Sequence, residues 1–307
     1  MERHRLIRWC SAVCVLSMVS GCAFSPLGKR ATAFSTAASA TTLQVKNGYQ
    51  VVEQSYYDVQ VDNLVKVFDT EGFKTDNIKP FLTPDEMKAR TQLLQGLQQY
   101  ATLLAAVSGN DAVAALDKQS ESVGKDMESL SKDSGFKSVA KNSTIEGGVA
   151  AAAVDALGRE LMARKTAKEL PTILDEMQKP VDQICQLLEE DIGDPQTGGL
   201  RNQLKNDYDQ LIADQRAFIY ANEKAMSPDE KRQAIAILPQ LWIAEKQNDA
   251  ALAQTQEALK KLATTHDALV DTKKSKDAPA FESLVSQLAV QGSQLSDVYS
   301  AATKKEK

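Results

Sequence analysis

Histidine is nearly missing from this 307-residue chain, which holds His4 and His266 alone. Most nucleophilic triads and zinc sites draw on histidine, so either would have to be built around one of these two. Cysteines number four (Cys10, Cys14, Cys22 and Cys185), and aromatic residues make up 6%. Nine prolines and fifteen glycines are too few for a collagen-like or low-complexity chain. Positive charge is not in excess either. The formal net charge of −5 disfavours nucleic acid as a partner, because electrostatic binders need a basic face. The sequence holds no phosphate-cradling P-loop, dinucleotide fingerprint or G-x-S-x-G elbow. What it does hold is 43% hydrophobic residues, enough for one large core or two smaller ones.

The N-terminus carries the most specific pattern. Residues 1–8 (MERHRLIR) set Arg3, Arg5 and Arg8 against one acid, Glu2, and an eleven-residue apolar run follows from Trp9 to Val19. A basic start and a short apolar core fit a secretory signal peptide over residues 1–21, and the run is too short to span a bilayer. It ends at Val19-Ser20-Gly21-Cys22. This resembles the lipobox of bacterial lipoproteins, in which small residues precede a cysteine that is acylated and becomes the mature N-terminus. Val19 stands where that family most often has Leu. The resemblance covers residues 1–22 and implies a fatty-acyl (palmitate) anchor on Cys22, with the membrane as a partner through that lipid. Ala23, rather than Asp, after the cysteine implies export to the outer membrane, with the body facing the periplasm. Several acyl chains, each contributing about 0.8 kcal/mol per buried methylene, make a stable anchor.

Processing there would remove three arginines and one glutamate, taking the net charge from −5 to −7. It would also leave Cys185 as the one thiol free of lipid and His266 as the one histidine. A lone cysteine in an oxidising envelope is either buried or paired with another chain.

The body reads as helix throughout. Residues 22–42 are small, polar and poor in acids, and are expected to form the anchor and a tether that turns helical toward its end. From Val45 the apolar spacing becomes 4-3-4-3 through Tyr49, Val52, Tyr56 and Val59, one face of a helix. Residues 57–68 are rich in β-branched side chains and leave a strand open, with one helix to about Asp69 preferred. Thr83-Pro84-Asp85-Glu86 and Ser227-Pro228-Asp229-Glu230 each supply a capping hydroxyl, a first-turn proline and acids at the positive end of a helix. Stripes follow at Leu93–Val107, Val113–Leu130 and Leu170–Ile192, and the glycines at 193, 198 and 199 make the clearest break. This divides the body into 43–193 and 200–303, with one continuous domain as the alternative. Leu238, Leu241, Leu252, Leu259, Leu262 and Leu269 keep heptad positions, as do Phe281, Leu284, Leu288, Leu295 and Val298. The link between these two seams is too short for a crossover, so they should pair antiparallel as a coiled-coil hairpin. Pro239 should kink the longer partner or restart it. The expected fold is all-α: an elongated bundle of roughly six to eight helices with antiparallel coiled-coil hairpins.

Candidate chemistry is thin. Residues 145–158 (IEGGVAAAAVDALG) are weakly apolar; they are read as close helix packing through Gly147, Gly148, Ala152 and Ala156, or else as a membrane-inserting tip. His266 falls on a seam without metal-ligand partners at helical spacing. It is expected to bond Gln287 or Gln291, and its replacement by Leu to leave stability similar or higher. The run Glu189-Glu190-Asp191 lacks the spacing of a calcium loop and is read as a solvated helix end. Carboxylate pairs distant in sequence stay open. Ile235, Ile237, Leu238, Leu241, Trp242 and Ile243 are apolar almost all round their helix and are placed against Phe218, Ile219 and Tyr220. Trp242 is the candidate partner contact within them. No cofactor or metal is expected. The function expected is that of a non-enzymatic, lipid-anchored cell-envelope scaffold, adaptor or partner-binding module; the alternative is a helical membrane-active or pore-forming protein using residues 145–158.

Overall fold

The computed structural model describes residues 25–72, 79–109, 113–163, 169–273 and 278–303. Cys22 and the signal sequence lie outside these. The described residues form α1 (Pro26–Glu71), α2 (Pro84–Gly109), α3 (Val113–Leu130), α4 (Ser134–Lys141), α5 (Gly147–Met162), α6 (Leu170–Ile192), α7 (Gly199–Asn222), α8 (Pro228–Asp271) and α9 (Ala278–Thr303). Among them the sole β-type pairing is an isolated bridge, Asp194 with Gly198, in the glycine-rich break. The fold is all-α.

Local chemistry sets the helix starts. Ser227 and Glu230 bond reciprocally, Ser227 N donating to Glu230 Oε2 at 2.7 Å and Glu230 N to Ser227 Oγ at 3.3 Å. Thr83 and Glu86 repeat that box at 2.9 and 3.3 Å.

The tether reading of residues 22–42 fails from Pro26 onward, where α1 begins. Gly28 N donates to Ser25 Oγ at 3.0 Å, so Ser25-Pro26 is a third use of the same hydroxyl-proline start. The polar composition misleads because the hydroxyls are satisfied within the helix: Thr32 and Thr42 donate to the carbonyls of Gly28 and Ala38. Meanwhile Ala31, Phe34, Ala38, Val45, Tyr49, Val52 and Tyr56 form one buried face. Residues 57–68 continue as helix, which settles the strand alternative.

α1 lies against α2 on one side and against α8 and α9 on the other, while α6 packs on α8. One hydrophobic cluster accordingly joins residues from Ala31 to Tyr299, with members on both sides of the Gly193 break. α8 and α9 do pair, with Leu252, Leu259, Leu262, Phe281, Leu288 and Leu295 buried. Pro239 neither ends nor restarts α8, which runs 44 residues, roughly 66 Å at about 1.5 Å per residue.

Small residues matter in α5, but not the ones expected. Gly147 and Gly148 face open space and Ala152 is exposed. The close approach is instead between Gly158 and Gly124 of α3, where a Cβ on Gly124 would meet the Gly158 carbonyl oxygen at 2.7 Å. Ala150, Ala153, Val154 and Leu157 are buried, so membrane use of residues 145–158 would first require α5 to leave the bundle. No helix among the described residues is long and apolar enough to cross a membrane.

Candidate functional site

Two polar clusters sit inside the body, a third is half-buried between α6 and α8, and exposed apolar side chains lie on α7 and α8. The first cluster is an ion pair with side chains 1% and 0% exposed. Arg90 of α2 grips Asp191 of α6 with two bonds, Nε to Oδ2 at 2.8 Å and Nη2 to Oδ1 at 2.7 Å. Its third nitrogen, Nη1, donates to the Glu86 carbonyl at 3.0 Å. Burial raises the Asp191 carboxyl above its ordinary pKa, and Arg90 pulls against that rise. This corrects the reading of 189–191 as a solvated helix end. Asp191 is fully buried, and Glu190 accepts from Ser143 Oγ, Thr144 N and Thr144 Oγ1, tying the α4–α5 link to α6.

The second cluster surrounds His266. Its ring is fully buried, Nε2 meets Tyr100 Oη at 2.9 Å, and the Phe34 ring lies 5.5 Å away. Burial holds the imidazole far below its usual pKa, at about 3, so it is neutral. The expected partners are engaged elsewhere: Gln287 accepts from Lys261, and Gln291 donates to Gln254. Replacing His266 with Leu takes this bond from the Tyr100 phenol and also removes a buried Nδ1 that has no partner among the described residues, two effects of opposite sign.

The third cluster answers the question of distant carboxylates. Asp182 of α6 faces Asp267 of α8, which also accepts from Gln178 Nε2 at 2.8 Å. Asp182 Oδ1 is buried without a hydrogen-bond partner among the described residues. Desolvation first, then the charge of Asp267, lifts the Asp182 pKa to about 7. On the same helix Glu189 is also raised to about 7, mainly by burial. Cys185 is buried as anticipated, and burial pushes its thiol well above the ordinary value.

An acid that keeps its proton to higher pH when folded than when unfolded stabilises the native state at low pH. That contribution is lost as pH rises through about 7. Asp182→Asn is thus expected to raise the unfolding free energy at pH 8 by on the order of 1 kcal/mol, after discounting for solvent screening, and to change it little at pH 4. Urea melts at the two pH values test this. An equal gain at both would assign the effect to packing instead of charge.

The exposed surface is on the arm formed by α7 and the first half of α8. At its base the arm is fastened to the body. Asn248 Nδ2 bridges Tyr208 Oη and Ser55 Oγ, each at 3.0 Å, and Arg201 pairs with Asp249 at 2.7 Å. Leu211 and Leu241 are the last arm residues in the main cluster; farther out, Ile219 and Ala234 are buried outside it. There Gln215 Nε2 donates to the Ala234 carbonyl at 2.6 Å and holds the two helices together.

The predicted apolar cluster divides accordingly. Ile237, Leu238 and Leu241 turn partly or wholly inward, whereas Ile235, Trp242 and Ile243 are 46%, 55% and 47% exposed. Tyr220, expected to be covered, is 68% exposed. A 4-3-4 stripe, Lys231-Ile235-Leu238-Trp242, therefore runs along α8 beside Tyr220 with no third helix over it among the described residues. Leu43, Tyr57, Val149 and Val290, the other exposed large apolar side chains among the described residues, lie on α1, α5 and α9. Comparison with protein-family models, with curated proteins and with solved structures finds no match for this chain.

Proposed function

We propose that this chain is a non-enzymatic, lipid-anchored protein of the bacterial cell envelope that acts as a scaffold or adaptor by presenting the α7–α8 arm to a protein partner. One observation carries the reading: Tyr220 and Ile235 border an open groove between α7 and α8, and Trp242, one turn past Leu238 on the same α8 stripe, is 55% exposed. Contiguous apolar surface of this kind marks interaction sites, and aromatic anchors dominate their energetics. The burial and neutrality of His266 support the non-enzymatic side of the proposal.

Lipid on Cys22 fits this geometry. About four residues separate it from Pro26, a reach of at most roughly 14 Å. The start of α1 adjoins the end of α8, Arg30 Nη1 donating to the Thr272 carbonyl at 3.4 Å. The tip of the arm is the opposite end of that same long helix, so the exposed face stands far from the anchoring bilayer.

Two measurements test the reading. Cys22→Ala should abolish acyl labelling and membrane fractionation; unchanged labelling would remove the anchor. A photo-cross-linking side chain at Trp242 should yield one defined adduct in intact cells, and the same group at Leu43 none. Equal adducts at both sites, or none at Trp242, would refute the arm as the presented surface.

A further inference from the structure

We infer that the groove between α7 and α8 receives an amphipathic helix of a partner protein, about three turns long, whose apolar face is bordered by carboxylates. The inference rests on the partner-binding reading above and names the chemistry of the partner.

The groove has a volume of about 260 Å³ and is lined by Ile219, Tyr220, Ile235 and Leu238, with Arg216, Glu223 and Lys231 at its edges. On α8 its lining runs from Lys231 to Leu238, and the same stripe continues one turn to the exposed Trp242, roughly 17 Å along the helix axis in all, or three turns. The 4-3-4 spacing of that stripe is the ridge against which another helix packs, and two antiparallel helices with one open apolar seam are completed by a third. Two edge groups are cationic. Lys231 lies 3.9 Å from Glu223, and Arg216 is exposed with no ion pair among the described residues. One cation is therefore left over beside the apolar floor, and a carboxylate on the incoming helix would neutralise it.

The same charges argue against the two other occupants. Copies of this chain anchored in one membrane would stand side by side, bringing each Arg216 toward its counterpart. A bilayer surface is disfavoured because residues 211–246 hold five basic and five acidic side chains, with no net attraction to anionic lipid. The arm also points away from the membrane that would hold Cys22.

The sequence has two tryptophans, Trp9 and Trp242, so a chain processed at Cys22 keeps Trp242 alone, and its fluorescence reports a helix that lies along the stripe one turn past Leu238. The probes are two synthetic helical peptides of about twelve residues with identical leucine faces, one bordered by glutamates and the other by lysines. With the purified processed chain, the glutamate peptide should shift Trp242 emission to the blue at least tenfold more tightly than the lysine peptide. Arg216→Glu should invert that preference, and Ile235→Asp, an exposed position that leaves the fold intact, should abolish both signals. Equal binding of the two peptides, or a preference unchanged by Arg216→Glu, overturns the inference. So does a blue shift produced by vesicles of phosphatidylethanolamine and phosphatidylglycerol, or by concentrating the protein alone. If the Trp242 adduct forms in cells while the peptides fail, the partner-binding reading stands and only its helical, acidic chemistry falls.

Discussion

Arg90→Met is expected to remove about 3–5 kcal/mol of folding free energy, because it leaves the Asp191 carboxylate buried without its cation. The lever is geometric. Both side chains are essentially sealed from solvent, and the two parallel bonds of 2.7 and 2.8 Å are accompanied by a third to the Glu86 carbonyl. Asn142 donates to the same carboxylate at 3.4 Å, but an amide cannot replace a charge. The double change Arg90→Met with Asp191→Leu removes both desolvation costs at once and is expected to recover most of the loss. Thermal melts of the single and double variants distinguish the cases: a drop of roughly 10 °C for the single, and near-parental melting for the double. A double variant as unstable as the single would mean that the pair holds α2 and α6 by a geometry that apolar packing cannot reproduce.

That pair was present in the sequence as two charges of opposite sign on buried stripes. Arg90 precedes Leu93, Leu97 and Tyr100 at helical spacing, and Asp191 follows Ile184 and Leu188. Reading the acids at 189–191 as a block hid this, since three consecutive residues point in three directions and have three fates. The helical class, the α6 stripe, the α8–α9 pairing and both Pro-Asp-Glu starts were legible, because periodicity and capping are local properties. Ser25-Pro26 was equally local and was missed because small polar composition suggested a tether. The insertion of α1 between α2 and the α8–α9 pair was not legible. A hairpin seam looks the same from sequence whether it closes on itself or against a third helix.

The candidate surface shows the same division. Six apolar residues clustered around Trp242 were visible, yet an apolar helix belongs to a core unless something fails to cover it. Ile235, Trp242 and Ile243 are uncovered because they turn away from the face of α8 that buries Ala234, Leu241 and Glu245, a property of tertiary arrangement. The lack of an ion pair to Arg216 among the described residues and the meeting of Asp182 with Asp267 depend likewise on contacts between helices far apart in the chain.

Leu288→Asp is expected to have the largest effect of any single change, and its extent tests how α1 is built in. Sequence reasoning would confine the damage to the α8–α9 hairpin. In the structure Leu288 is fully buried, its carbonyl accepts from Thr41 Oγ1 at 3.2 Å, and α9 lies against α1 as well as α8. An aspartate there would place an unpaired charge among apolar side chains, at a cost of several kcal/mol or more. Leu288→Ala, which leaves only a cavity, should cost about 2–5 kcal/mol and still fold. Hydrogen exchange separates the local from the shared view. If α1 is part of one core, Leu288→Asp strips protection from α1 and α2 along with α8 and α9. Protection lost from α9 and the end of α8 alone, with α1 unchanged, would show that the hairpin folds apart from the body and that its contact with α1 contributes little to stability.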